Sequence, residues 1–295
     1  MYNGIINVYK EKGFTSHDVV AKLRGILRQK KIGHTGTLDP DAVGVLPVCL
    51  GSGTKLCDML TDRSKEYEVV MLLGVTTDTE DISGNILSER AVNVTTSEVC
   101  NVISSFIREY DQIPPMYSAI KVNGKKLYEL AREGQVIERK PRKVIINDIE
   151  IVSIDFPRVT MRVKCGKGTY IRSLCRDIGE KLLCGACMDK LTRTRVGGFV
   201  IGEAKTLKEI EELAHNNGIG EILYPVDEVF VEYPAIMVDE KRAVLVSNGN
   251  KILRNDNEPN GIVRVYFTEG KKFAGVYESD ENGFYKPYKM FLNGE

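Results

Sequence analysis

The stretch Gly33-His34-Thr35-Gly36-Thr37-Leu38-Asp39-Pro40-Asp41-Ala42-Val43-Gly44-Val45-Leu46-Pro47 decides how this chain is read. An acid followed by proline, between apolar residues, is a carboxylate on a rigid turn. Pro40 fixes its own φ and biases Asp39 toward an extended conformation. Gly33, Gly36 and Gly44 let another backbone or a ligand come close. Residues 31–53 are rich in Gly, Thr, Asp and Pro, which predicts one long loop of the kind that carries function. Between Asp18 and Asp39 lie five bases, Lys22, Arg24, Arg28, Lys30 and Lys31, and no acid. Basic surroundings favour an ionised carboxylate, ready as a nucleophile or a base. The same residues also suit a plain turn-forming Asp-Pro, and local pattern alone leaves both readings open.

Working outward, residues 5–9 predict a strand. Thr15 and Asp18 are spaced as a capping box, and Val19, Val20, Leu23, Ile26 and Leu27 follow at helical spacing. Residues 65–73 predict a strand. Asp78, Glu80 and Asp81, followed by Gly84, predict a solvated acidic turn without the spacing or terminal Glu of a calcium loop. Thr95 with Glu98 opens a second capped helix reaching about 109. Residues 113–143 are polar, basic and weakly periodic, as a projecting arm would be. Strands are expected over 144–152 and 159–165, and helices over 170–183 and 207–214. After Pro234, short strand-like runs parted by Gly and Asn predict a small all-β barrel, with a domain boundary near 234.

The 295 residues suggest about two domains. A chain of this size buries about three quarters of its unfolded surface, so it needs no staple. Lys plus Arg is 41 and Asp plus Glu is 41, a balance that argues against a nucleic-acid partner. Counted by stretch the balance dissolves: residues 1–60 carry +3, 61–112 carry −6, 113–157 carry +2, 158–195 carry +7, 196–234 carry −6 and 235–295 carry 0. Basic runs parted by acidic ones suit a polyanion bound along one surface, with the acids on the far side. No apolar run approaches the roughly 18–20 residues that span a bilayer, and the N-terminus lacks a signal-peptide core. A cytoplasmic protein with no membrane contact is expected. Seven Cys, an odd number, do not form a disulfide framework. Cys184-Gly-Ala-Cys187 is a lone CxxC without the further ligands zinc needs. The only histidines, His17, His34 and His215, leave no His-rich metal site. No metal and no cofactor are expected. Gly-Lys-Gly-Thr at 166–169 lacks P-loop spacing, and there is no G-x-S-x-G or Cys/His nucleophile pattern.

The longer stretch GHTGTLDPDAVGVLPVCLG (33–51) closely resembles the catalytic-aspartate motif of the bacterial TruB-type tRNA pseudouridine synthases. YKEKGFTSHDVV (9–20) resembles that family's opening motif, and KEYEVVMLLGVTTDTEDISG (65–84) its tyrosine-bearing strand and acidic turn. QIPPMYSAIKVNGKKLYELAREG (112–134) resembles its RNA-clamping insertion. CGKGTYIRSLCRDIGEKL (165–182) and LTRTRVGGF (191–199) resemble its late active-site segments. The six fall in the family's order over residues 5–230. Residues 234–295 resemble a PUA-type RNA-binding barrel less specifically. Glu11 stands where the family usually has Pro, and Glu66 where a basic residue often sits.

The resemblance implies an α+β fold: a mixed, largely antiparallel sheet flanked by helices, plus a small C-terminal PUA-like β-barrel. It implies a catalytic domain over 1–233, with a basic RNA-clamping insertion at 115–143, and an RNA-binding domain over 234–295. The implied activity is isomerisation of uridine to pseudouridine in the T-arm of tRNA, at position 55. It needs no metal or nucleotide cofactor and no obligatory protein partner, and the chain is expected to act as a monomer. By resemblance Asp39 is the catalytic carboxylate, Arg172 the guanidinium paired with it, and Tyr170 a group beside the base that could assist at C5. Tyr67 stacks on the flipped base, Leu191 lines the uracil pocket and His34 fills the place the base vacates. Lys31, Lys121, Lys125, Lys126, Arg132 and Lys140 are the implied RNA contacts. The alternatives are a relative acting on another RNA, guided or not, a non-catalytic RNA-binding or RNA-folding protein, and a glycosidase. The last would need a second acid placed across the substrate.

Overall fold

Strand β1 (Gly4–Lys10) and helix α1 (Ser16–Ile26) open the chain in the computed structural model, which describes residues 1–292. The Thr15 hydroxyl accepts from the Asp18 amide while the Asp18 carboxylate accepts from the Thr15 amide, so the capping box forms as the spacing predicts. β2 (Ile32–His34) and β3 (Val43–Leu50) follow. The expectation of one continuous loop over 31–53 is therefore corrected, since two strands bracket a short loop at 35–42. Gly44 and Pro47 read as breakers in the sequence, yet both sit inside β3. A Cβ at Gly44 would lie 2.3 Å from the Arg193 carbonyl oxygen, so only glycine admits the neighbouring strand there.

α2 (Cys57–Thr61) leads into β4 (Lys65–Leu73), where Lys65, Tyr67, Val69, Met71 and Leu73 alternate onto one buried face. β5 (Val75–Thr77) and β6 (Ile86–Glu89) form a hairpin that carries the acidic turn. α3 (Thr96–Ser104) is capped by Thr95 and Glu98 but ends well short of 109, because β7 (Glu109–Gln112) begins there. The arm contains β8 (Lys121–Val122), β9 (Lys125–Lys126) and α4 (Leu127–Arg132). Asn123 and Gly124, at φ +50° and +85°, make its tight hairpin turn. Met116, Leu127 and Leu130 give the arm a small core of its own, which its weak periodicity concealed.

β10 (Arg142–Asp155) and β11 (Arg158–Cys165) form a long hairpin. α5 (Ile171–Lys181), β12 (Ala186–Val196), β13 (Phe199–Val200), α6 (Leu207–His215) and β14 (Leu223–Tyr224) complete this part. The ten-stranded sheet has the order β14-β1-β3-β12-β4-β11-β10-β7, with β2 on β3 and β13 on β12. Every pairing is antiparallel except β3 with β12, so the sheet is mixed and largely antiparallel as expected. α3 and α5 pack on β4, β10, β11 and β12 around Val69, Met71, Val163, Leu174 and Ile178. α1 and α6 cover β1 and β3 around Ile6, Val8, Leu23, Leu46 and Ile210.

The last part holds β15 (Ala235–Val238), α7 (Glu240–Ser247), β16 (Ile252–Leu253), β17 (Ile262–Phe267), β18 (Phe273–Ser279) and β19 (Phe284–Met290). Its five-stranded sheet runs β15-β17-β18-β19-β16. The all-β expectation is corrected by α7, which Asp239 caps through the Arg242 amide. Val244 and Leu245 of this helix are exposed, so no clear apolar stripe announced it. Ile5, Val45, Cys49 and Leu56 share an apolar cluster with Phe230, Val276 and Phe291, which fastens this sheet to the other face of β1 and β3.

Candidate active site

Asp39 sits in the loop between β2 and β3, and three neighbours fix that loop. The Ser16 hydroxyl, in the first turn of α1, accepts from the Leu38 amide at 2.9 Å. The Gly13 amide donates to the Pro40 carbonyl at 2.9 Å. The fully buried Lys10 ammonium donates to the carbonyls of Phe14 (2.6 Å), Pro40 (3.1 Å) and Glu11 (3.2 Å). Burial pulls the Lys10 pKa down to about 8. These bonds fix the backbone on both sides of Asp39, which leaves the direction of the carboxylate to its own rotamer and to the group it pairs with.

Arg172 approaches from the first turn of α5. Its Nε lies 3.0 Å from Asp39 Oδ2 and its Nη2 3.1 Å from Oδ1, a two-bond fork. The Arg172 side chain is 7% exposed against 36% for Asp39, so the carboxylate is the open half of the pair. Arg172 also donates to the Thr79 carbonyl at 3.0 Å and the Tyr117 carbonyl at 2.8 Å, and Asp81 Oδ2 lies 3.8 Å from Nη1. Burial pushes the Asp39 carboxyl above its ordinary value. Arg172 and Lys10 oppose that shift, while Asp81 and Asp41 add to it. The sequence expectation that a basic neighbourhood secures ionisation therefore omitted the larger effect, loss of water.

The acidic turn is not solvated, which corrects a second expectation. Glu80 is buried and Asp81 nearly so. The Glu80 carboxylate accepts from Ser173 Oγ at 2.6 Å and pairs with Arg176. Asp81 takes the Thr79 and Ser83 hydroxyls. Tyr170 is the N-cap of α5, with extended φ and ψ, so the expected helix starts one residue later. Gln112, buried at the end of β7, clamps it. Its side chain accepts from the Tyr170 amide at 2.9 Å and donates to the Tyr170 carbonyl at 3.0 Å. Although the two residues are only two apart, the Tyr170 phenol lies within electrostatic reach of both Arg172 and Asp39. Burial raises the Tyr170 pKa.

Tyr67 and Leu191 pack in one apolar cluster with Leu38 and Ala42, the residues flanking the Asp39 turn. Tyr67 lies opposite Arg193 across β4 and β12, and Leu191 opposite Val69. Burial pushes the Tyr67 pKa up to about 12, so it is a neutral phenol. Arg193 is fully buried and donates through Nε to the Val45 carbonyl at 2.7 Å. His34 lies at the end of β2 with its ring 5.4 Å from that of His17, edge to face. Burial lowers its pKa, which leaves the imidazole neutral. Sequence reasoning missed Lys10, Glu80, Asp81, Gln112, Arg176 and Arg193. All six stood in or beside the quoted motifs, but nothing local in the sequence marks a polar residue as buried.

The proposed RNA contacts lie apart from this centre. Lys31, Lys121, Lys125, Arg132 and Lys140 are exposed, and Lys126 is half-buried against the Tyr128 ring. Lys125 pairs with Glu133 at 3.3 Å. Among the described residues, Lys31, Lys121 and Lys140 have no carboxylate within 4.0 Å. Much of the +7 stretch is neutralised on the sheet. Arg158 pairs with Asp189, Arg162 with Glu68 and Glu150, Lys164 with Asp148, Lys167 with Asp62 and Arg195 with Glu66. Among the described residues no group of three or more His, Cys, Asp or Glu is placed to hold a metal. Cys184 and Cys187 are buried free thiols.

Three family models match in succession: TruB family pseudouridylate synthase (N-terminal domain) over residues 24–171, tRNA pseudouridylate synthase B C-terminal domain over 172–231, and pseudouridine synthase II TruB, C-terminal, over 234–291. The chain is 54% identical to tRNA pseudouridine synthase B of Lachnoclostridium phytofermentans, covering 98% of this chain and all of that one. It is 46% identical to the protein of that name from Clostridium tetani, covering 96% and 97% of the two chains. In fold it is similar to a chain of a solved Cbf5-Nop10-Gar1 complex, with a TM-score of 0.72 and 27% identity over 98% of this chain and 85% of that one. A chain of an H/ACA RNP bound to a substrate RNA containing 2'-deoxyuridine superposes with the same TM-score at 24% identity, a likeness of fold. The buried arginine on the Asp39 carboxylate, the sheet that carries it and this near full-length identity agree, and the chain belongs to the TruB family of pseudouridylate synthases.

Proposed function

We propose that the chain isomerises uridine to pseudouridine at position 55 in the T-arm of tRNA. The observation that carries this reading is the two-bond pairing of Arg172 with Asp39 on a loop locked by Ser16 and Lys10. In the reaction the N1–C1′ bond breaks, the base turns, and C5 bonds to C1′. C5 then gives up its proton and N1 takes one. An aspartate at the ribose serves as nucleophile at C1′ or as base at C2′. Both routes need the ionised form, which Arg172 favours against burial.

Extruding the base costs a few kcal/mol, and stacking on Tyr67 offsets about 1–3 kcal/mol of it. Tyr67 and Leu191 are 7% and 8% exposed, so the incoming base displaces what covers them. His34 takes the place that the base leaves. Tyr170 stands beside the base, and with its pKa raised it meets C5 as a hydroxyl rather than as a standing base. Lys31 and the arm, through Lys121, Lys125, Lys126, Arg132 and Lys140, hold the phosphates, and the C-terminal sheet touches RNA beyond the loop. Relatives named for tRNA support the substrate. The folded basic arm supports action as a monomer without a protein partner. A cytoplasmic location is supported by relatives named for tRNA modification.

The test is a tRNA transcript tritiated at uridine C5 and incubated with the purified chain alone. Tritium release by the native chain and none by Asp39→Asn is expected. No release by the native chain, or equal release by the variant, removes the catalytic reading.

A further inference from the structure

Two arginines one helical turn apart on α5 reach the same two neighbours. Arg172 bonds the Thr79 carbonyl of the acidic turn and the Tyr117 carbonyl of the arm. Arg176 pairs with Glu80 of that turn and donates to the Ile113 carbonyl, at the arm's root, at 3.0 Å. Glu80 lies between Thr79 and Asp81, the two residues of the turn that face Arg172. Its φ is +64°, a region that residues other than glycine seldom occupy. Both of its carboxylate oxygens are engaged, one by Ser173 Oγ and one by Arg176. Its carbonyl accepts from the Met188 amide and the Ile82 amide donates to the Met188 carbonyl, so β12 grips the turn from behind. A charge buried in a strained backbone persists only where its surroundings over-determine it.

We propose that Glu80 and Arg176 form a positioning pair that locks the acidic turn to α5, so that the turn aims Arg172 at Asp39 while the arm's root is held to the same lock. Neither residue touches the reacting atoms. The inference rests on the reading of Asp39 and Arg172 as the reacting pair. When the lock is lost, the Thr79 carbonyl and Asp81 no longer hold Arg172 in one direction, and the fork onto Asp39 loosens. RNA affinity is left as it was in Glu80→Gln, which keeps the Arg176 bond to the Ile113 carbonyl, whereas Arg176→Gln also gives up that hold on the arm's root.

The test measures single-turnover conversion and tRNA binding across pH for Glu80→Gln, Arg176→Gln, the double variant and Ser173→Ala. Each of the first two is expected to lose about 10–100-fold in rate, with binding changed less than about twofold in Glu80→Gln and weakened further in Arg176→Gln, which also frees the arm's root. The double variant should be no slower than the slower single. The acid limb of the rate should move to higher pH, because a loosened Arg172 opposes burial at Asp39 less. The other charged groups facing Asp39, namely Asp81, Lys10 and Asp41, are unaltered in these variants. A merely structural role lowers the melting temperature but leaves that limb in place. A native rate in Glu80→Gln, losses that multiply in the double variant, or an unmoved acid limb overturns the proposal. Ser173→Ala removes one bond to Glu80 and keeps the ion pair, so a rate within about threefold of native is expected there. If Glu80→Gln does not fold, the double variant, which leaves no unpaired charge, decides the matter: a slower rate with a shifted limb supports the pair, and a native rate and limb remove it. If Asp39→Asn itself converts RNA, the underlying reading fails. If Asp39→Asn is inert while the Glu80 and Arg176 variants are native, only the pair fails.

Discussion

At Asp39 stability and activity depend on pH in opposite directions. Its carboxyl is raised above the ordinary value by burial. Between that ordinary value and the raised one, the folded chain holds a proton that the unfolded chain has released. This residue's contribution to stability therefore falls as pH rises through that window, while activity, which needs the anion, rises through it. Asp39→Asn removes the charge yet keeps an acceptor for Arg172. It is expected to be inert at every pH, and to lose less than about 1 kcal/mol of stability at neutral pH. Thermal melts of both proteins at acidic and neutral pH check this, and the gap should shift in the variant's favour as pH rises. The sequence announced Asp39 through Pro40 and the glycines around it. It could not announce how far the carboxylate would be withdrawn from water, because burial is a property of what packs around it, and Arg172 is far away along the chain.

Among the elements, α1 acts on the reacting loop through one hydroxyl. Ser16→Ala leaves the buried Leu38 amide without a partner, which costs about 1–3 kcal/mol. It also frees the residue next to Asp39, so the rate should fall roughly tenfold or more. Thr15→Ala removes the helix cap for about 1 kcal/mol, but its hydroxyl serves only the exposed end of α1. Its rate should stay native, and paired melts and single-turnover assays separate the two. Elements with strong local chemistry were legible: the cap of α1, the strand at 65–73 and the cap of α3. β3 was not, because Gly44 and Pro47 serve tertiary needs that resemble loop chemistry. The acidic turn failed for the opposite reason. Asp78, Glu80 and Asp81 look solvated by composition, and it is Arg172, Ser173 and Arg176 of α5, with Met188 of β12 behind, that make the turn an interior feature.

For the whole molecule, the zero net charge conceals two kinds of cation. Those on the strands, such as Arg162 and Lys164, face acids on adjacent strands and are largely spent. Those on the arm, such as Lys121 and Lys140, have no carboxylate within 4.0 Å among the described residues. Reversing Lys121 and Lys140 together should lower the salt dependence of tRNA binding by roughly 1.5 in the log–log slope, as expected for two lost phosphate contacts. Arg162→Gln should leave the slope alone, and a filter-binding salt series measures both. Segment sums showed that charge was unevenly spread, but pairing across strands decides which part of it reaches a ligand.

The C-terminal sheet has a further consequence. Val276 and Phe291 sit in the same apolar cluster as Ile5 of β1 and Cys49 of β3, the strand that leaves the Asp39 loop, and Lys55 bonds the Met290 carbonyl at 2.8 Å. The two parts are thus welded rather than tethered, and the span between the reacting carboxylate and the far sheet is fixed. On the proposed reading, in which the C-terminal sheet also touches RNA, an RNA gripped at both ends is gauged against that span as by a caliper. A stem of the wrong length could satisfy one jaw only, which makes the distance between two contacts, and not the contacts alone, an element of selection.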